Sequence, residues 1–283
     1  KDVKTIGKVS NAISRFLKFC NAKDIEIPLI TMGLVNKYIR DTIRRNVIAR
    51  ATFLHDINNL SNLFKLAQME EFITALPNPF QGHKLKGFRA PIKREIFTKE
   101  MLATFLRFSK NHEEMIQLIL VSYYTGMRIS EIYEATLKDI DGYLWFDVAV
   151  EGGKTKAAKR IIPMHTDLLS QLNQLNLISN NQIRWISPSH NALGKKFLRL
   201  RDLVLNHLGQ MNNRSLYVHH SFRHGFLTTL HSNGFTGAEV ADLSGHEKSN
   251  IGKTESEKTY FAMQDNPKLI QMVESIPTLN LPL

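Results

Sequence analysis

The stretch His219-His220-Ser221-Phe222-Arg223-His224 decides how the rest of the chain is read. A helix is expected over residues 221–232, and on its first turn His220 and Arg223, at i and i+3, share a face and can meet one phosphate. Three histidines so close also raise zinc, because His220 and His224 have i, i+4 spacing. No glutamate separates them, no cysteine lies near, and Arg223 would set a cation beside the metal. Zinc is therefore disfavoured, and no metal site is expected.

Working outward, residues of the same chemical kind recur on both sides. Downstream stand Leu243-Ser244-Gly245-His246 and then Tyr260, the one tyrosine that follows His246. Upstream are Thr125-Gly126-Met127-Arg128-Ile129-Ser130-Glu131 and the basic run Gly152-Gly153-Lys154-Thr155-Lys156. Gly-Gly-Lys-Thr matches part of a P-loop, but position 148 is valine where that motif needs glycine, so a nucleotide site is rejected. Arg128, Lys154, His220, Arg223, His246 and Tyr260 together supply what a phosphoryl transfer needs without metal or other cofactor. Arginine forks hold non-bridging oxygens, lysine and histidine move protons, and tyrosine offers an oxygen nucleophile. Each also has a plainer reading. Arg128 and Glu131 could be a surface ion pair, Lys154 a soluble loop tip, and Tyr260 a packing residue.

The remaining sequence fits a DNA-acting protein. The chain has 283 residues and a net charge of +11, with a pI near 9.7, which calls for a polyanionic partner. Its 43% hydrophobic and 22% charged residues argue for a folded chain rather than a disordered one. No run of about 18 apolar residues occurs, so no membrane span is expected. The lone Cys20 has no partner within the chain and suits a reducing interior, hence a cytoplasmic protein, as a small core residue.

The expected fold class is mainly α with a small antiparallel β-sheet (α+β). Residues 1–79 read as helices only. Ile6, Val9, Ile13, Phe16, Leu17 and Cys20 recur at helical steps; Thr31 N-caps a second helix with Leu34, Val35, Tyr38, Ile39 and Ile43 inward. A third runs through Phe53, Leu54, Ile57, Leu60, Leu63, Phe64 and Ala67. Arg40, Arg44, Arg45 and Arg50 lie on polar faces, as a solvated surface or as phosphate contacts. Residues 80–96, with Lys84, Lys86, Arg89, Lys93 and Arg94 against Glu95 alone, read as a basic interdomain linker, either a tether or a strap along DNA. From position 97 a mixed domain is expected. Its helices fall at 98–109, 113–124, 129–137, 167–175, 193–208, 221–232, 236–243 and 256–262, with Gly126 a helix stop and strands at 144–150 and 160–163.

In this order the polar set resembles the tyrosine recombinase (phage integrase) family. The specific likeness lies in Thr-Gly-x-Arg-x-x-Glu, His-x-x-Arg and a Leu-Gly-His box varied here at Ser244. The resemblance implies that Arg128 and Arg223 clamp the scissile phosphate, with Glu131 supporting the site. It makes Lys154 or Lys156 the proton donor to the departing 5′ oxygen, His220 and His246 phosphate ligands, and Tyr260 the nucleophile. The interval from His246 to Tyr260 is longer than is usual in the family. Residues 1–79 would then be the core-type DNA-binding domain and 97–283 the catalytic domain with its tail. The tail, with Leu269, Ile270, Met272, Val273 and Ile276, docks either on a neighbouring protomer or on its own domain. The activity implied is that of an integrase for a mobile element. Its partners would be double-stranded DNA target sites, a homo-tetramer on paired sites and accessory DNA-bending proteins. A type IB-like topoisomerase or a non-catalytic DNA-binding relative are the alternatives. Lys1 is not an initiator methionine, which leaves room for an arm-type DNA-binding domain ahead of it.

Overall fold

The computed structural model describes residues 3–73, 76–148, 160–179, 182–183, 185–245 and 266–279. By compactness the chain divides into Lys1–Ile92 and Lys93–Leu283, a boundary that falls within the segment read as a linker. Each unit has its own apolar core.

The first unit is built from α1 (Val3–Cys20), α2 (Met32–Arg45) and α3 (Arg50–Met69). Thr31 caps α2 by accepting from the Leu34 amide at 3.2 Å, and Asn46 ends it in the left-handed region. Phe16, Val35, Tyr38, Ile39, Phe53, Ile57, Leu60 and Phe64 form the core. Leu54, expected inward, is 39% exposed. Phe53, Ile57, Leu60, Phe64 and Ala67 already define the buried stripe, and Leu54 lies about 100° round the helix from Phe53. The segment after α3 belongs to this unit: Phe80 and Leu85 are buried in the same core. Arg50 Nε donates to the Leu85 carbonyl at 3.1 Å. Asp56 is buried here and is held by Arg15 through two 2.6 Å bonds.

The second unit wraps helices around α5 (Glu113–Thr125), in which Leu118, Ile119, Leu120 and Val121 are all fully buried. Ahead of it, α4 (Lys99–Phe108) starts at Thr98, whose hydroxyl accepts from the Met101 amide. After Gly126 comes α6 (Ile129–Glu134). The helix expected to continue to Leu137 stops there, and Thr136–Ile140 is strand β1. Asp141-Gly142, both at positive φ, makes the two-residue turn that pairs β1 with β2 (Tyr143–Val148), the dipeptide that such hairpins favour. With β3 (Arg160–Pro163), β4 (Ile178–Ser179) and β5 (Gln182–Ile183), the antiparallel sheet has the order β3-β2-β1-β5-β4. It is larger than the two strands expected.

The remaining described helices are α7 (Thr166–Gln174), α8 (His190–His207), α9 (His220–Ser232), α10 (Gly237–Ser244) and α11 (Asn266–Glu274). The helix expected at 256–262 lies outside the described residues. The described part of the tail, 266–279, packs into the second unit. Leu269, Met272, Val273 and Ile276 are in the core, and Glu274 accepts from the Thr166 amide and hydroxyl at 2.8 and 2.7 Å. Among the described residues no helix is long and apolar enough to cross a membrane.

Candidate active site

The start of α6 and strand β3 meet at the Glu131 carboxylate. α5 ends at Gly126, whose φ of +60° suits a residue without Cβ; a Cβ there would lie 2.6 Å from the Phe226 ring of α9. The turn so formed places Arg128 at the start of α6. Glu131, three residues on, reaches back to the Arg128 amide at 2.9 Å and takes the Arg128 guanidinium at 2.6 Å. Its other charged partner is Arg160 of β3, at 2.8 Å. Glu131 is buried, its side chain only 4% exposed, so the surface ion pair is not what forms. Burial works to raise its carboxyl. The bonds and charge of Arg160, with those of Arg128, outweigh burial and hold it at about 2.

Arg223 stands behind this group and is itself buried, 2% exposed. It donates to two main-chain oxygens, that of Gly126 at 3.1 Å and that of Ser244. Arg160 donates to the Leu243 carbonyl at 2.7 Å. Two cations thus satisfy the carbonyls at the C-terminal end of α10, where a helix presents negative partial charge, and Gly245 closes the helix at φ +64°. Arg223 thereby ties the turn before Arg128 to the turn before His246, segments more than 100 residues apart in sequence. Burial first, then repulsion from Arg128, partly offset by Glu131, with Arg160 adding to it, brings Arg223 down to about 10. It stays protonated at neutral pH.

Three guanidiniums around one carboxylate leave the centre cationic. Arg128, with 43% of its side chain exposed, carries that charge into a groove of about 750 Å³. His220, at the start of α9, lines the same groove with His190, Asn191 and Lys195 of α8. His224 is exposed one turn along, its ring edge-on to that of His220 at 5.1 Å. Lys196, next to Lys195, turns away to the buried Glu114, 2.7 Å off, which also takes the Ile186 and Ser187 amides. That clamp anchors the segment leading into α8. An anion entering the groove would meet Arg128 and His220 together.

The structure therefore gathers Arg128, Glu131 and Arg223 into one cluster, and His220 into the groove beside Arg128. Lys154, Lys156, His246 and Tyr260 lie outside the described residues. Arg160, His190 and Lys195 were not singled out by sequence reading. For Arg160 the signal was strand alternation: it shares the buried face of β3 with Ile162 while Ile161 is less buried. In the first unit Arg40, Arg44, Arg45 and Arg50 are exposed, as are Lys84, Lys86 and Arg89; Lys93, at the start of the second unit, is exposed too. Arg44 and Arg45 both pair with Asp41, at 2.8 and 2.7 Å, exposed contacts weak enough for a phosphate to displace.

A family model for the phage integrase family matches residues 91–256, more than half of the chain. The chain belongs to the phage integrase family. Among the tyrosine recombinases of that family, it is 24% identical over 281 residues to tyrosine recombinase XerC of Bacillus pumilus (strain SAFR-032), covering 91% of this chain and 89% of the relative. It is 27% identical over 268 residues to a tyrosine recombinase of Pseudothermotoga lettingae, covering 90% and 86%. Among solved structures, a lambda integrase dimer bound to a core site shares the fold with a TM-score of 0.63. That match has 16% identity and covers 90% of this chain and 93% of the other. A Tn1549 transposon integrase in complex with transposon right end DNA gives 0.60 at 15% identity, covering 96% and 92%. At these identities the likeness to the solved structures is one of fold.

Proposed function

We propose that this phage integrase family member is a site-specific DNA recombinase that cuts and rejoins strands through a 3′-phosphotyrosine at Tyr260. The observation that carries the reading is the cationic cluster Arg128–Glu131–Arg160–Arg223 opening onto a groove that His220 shares. A phosphodiester resists attack because its negative oxygens repel the nucleophile. Guanidinium forks and histidine donors fixed beforehand stabilise the added charge of the transition state without reorganising during the reaction. Glu131, ionised down to about pH 2, keeps Arg128 and Arg160 oriented rather than competing for the phosphate from the open side.

In the proposed step the Tyr260 phenolic oxygen attacks phosphorus and passes its proton to a histidine of the set or to solvent. The bond from phosphorus to the 5′ oxygen breaks, and Lys154 or Lys156 protonates the leaving oxygen. The phosphotyrosine conserves the energy of the broken bond, so another 5′ hydroxyl can reverse the step without ATP. His246 completes the phosphate contacts. Double-stranded target sites, a homo-tetramer on paired sites and the integration or excision of a mobile element complete the proposal. The relatives support this through their names and their DNA-bound forms. The basic residues Arg40, Arg44, Arg45, Lys84, Lys86, Arg89 and Lys93 would track the backbone, while Arg50 also holds the Leu85 carbonyl.

A duplex nicked near the cleavage position tests the reading, because the freed end diffuses away and traps the covalent adduct. The wild type is expected to form that adduct in the presence of a chelator. Tyr260→Phe should bind the duplex equally well and form none. An adduct that persists in Tyr260→Phe moves the nucleophile elsewhere, and the absence of any adduct in the wild type refutes the activity.

A further inference from the structure

Arg223 and His219 both bond α9 to the end of α5, and of these Arg223 belongs to the cluster described above. Arg223 donates to the Gly126 carbonyl. One turn earlier on both helices, His219 Nε2 lies 2.8 Å from Ser122 Oγ. The spacing is the same on each side, 219 to 223 and 122 to 126, so the two contacts are rungs about one helical pitch apart.

His219 occupies the N-cap position of α9 yet makes no side-chain cap there, where a short polar residue usually accepts from the first-turn amides. Its half-buried ring lies at the wall of the groove instead, edge-on to Phe197 of α8 at 5.4 Å and tilted on Phe222 at 5.8 Å. Ser122 is fully buried, and its single hydroxyl proton goes to the Leu118 carbonyl. With that proton so placed, its lone pair accepts from the imidazole, and Nε2 of His219 is the donor. Burial, with His220 adjacent, holds His219 down at about 4, so it remains neutral wherever the protein is folded near neutral pH.

We infer that His219, through Ser122, is a positioning residue for His220: this rung fixes the start of α9 against the last turn of α5, and with it the placement of His220 opposite Arg128. The inference rests on the reading of the groove as a phosphodiester-cleaving site. Losing the rung removes one hydrogen bond from the first turn of α9 while Phe222 and Arg223 still hold the helix to the core, so the shift expected at His220 is small. Small displacements of a group that must meet the reacting phosphate are costly, on the order of tenfold to a hundredfold in rate.

The full chain with Ser122→Ala, His219→Phe, His219→Gln and the Ser122→Ala/His219→Phe double variant provides the test. Single-turnover adduct formation on the nicked duplex is read alongside affinity for the same duplex. Ser122→Ala and His219→Phe should each slow the adduct step by about tenfold or more at unchanged affinity. The double variant should be no slower than the worse single one, since both remove one rung. Glutamine, whose side-chain amide can place an N–H near that of Nε2, should restore most of the rate. Additive losses, a glutamine variant as slow as phenylalanine, or wild-type rates throughout would overturn the inference. If phenylalanine prevents folding, Ser122→Ala, which deletes one atom, carries the comparison. If the wild type forms no adduct, the cleavage reading fails by itself. The imidazole NMR titration of His220 in wild type and Ser122→Ala then decides the positioning: a moved midpoint supports it and an identical one refutes it.

Discussion

Replacing Glu131 by glutamine removes one negative charge and almost no volume from the centre of the second unit. The carboxyl drops from its ordinary 4.5 to about 2 in the folded protein, which corresponds to about 3 kcal/mol of stability at neutral pH. A group with a depressed folded value contributes fully above its unfolded value and loses the contribution as pH falls toward the folded one. The window is therefore pH 4.5 down to about 2, and at pH 3 about 2 kcal/mol of the contribution should be gone. Glutamine cannot accept two charged partners as the carboxylate does, so Glu131→Gln should lose about 3 kcal/mol at pH 7. Urea unfolding followed by tryptophan fluorescence reads this unit specifically, because Trp145 and Trp185 both lie in it. The difference between wild type and variant, rather than either curve, isolates Glu131 from the other carboxylates. It should shrink by about 2 kcal/mol between pH 7 and pH 3. A deficit under about 1 kcal/mol at pH 7, or one that does not change with acid, would refute the account of the cluster.

Other variants probe neighbouring contacts. Gly126→Ala must hold a left-handed φ and push its Cβ into Phe226, so it should cost about 2–4 kcal/mol by urea unfolding and displace Arg128 enough to abolish adduct formation. Arg160→Met should cost about 3 kcal/mol, and its combination with Glu131→Gln should fall short of the sum by at least about 1 kcal/mol; strict additivity would mean the two do not interact. Lys86→Ala should weaken DNA binding equally across sequences and lower the slope of log affinity against log salt by about 1. An unchanged slope would remove Lys86 from the phosphate contacts.

Local signals were legible in the sequence, and long-range ones were not. Thr31 caps α2 because a hydroxyl ahead of an apolar period can satisfy an amide three residues on, a relation contained in four residues. Gly126 stops α5 for an equally local reason. The strand at 136–140 was missed because Ile129, Tyr133 and Leu137 continue a plausible helical spacing, while the Asp141-Gly142 turn that redirects the chain lies beyond that window. Leu54 was misplaced since α3 buries a single stripe and Leu54 falls just outside it, a choice between neighbours that only packing makes. Motif residues Arg128 and Arg223 could be named in advance, but not that Arg223 would be buried and bonded to carbonyls. Arg160 escaped notice because its partner, Glu131, is 29 residues away and sequence spacing says nothing of strand-to-helix contacts.

Because Arg223 grips the oxygen of residue 244 and not its side chain, the chemical identity of that residue is invisible to it. Serine where the usual box has leucine leaves the peptide oxygen where it was, and the guanidinium finds the same acceptor. Drift of this kind can accumulate along the motif without loosening the joint. Position 223 has no such freedom, since no other side chain offers a fork that spans both carbonyls.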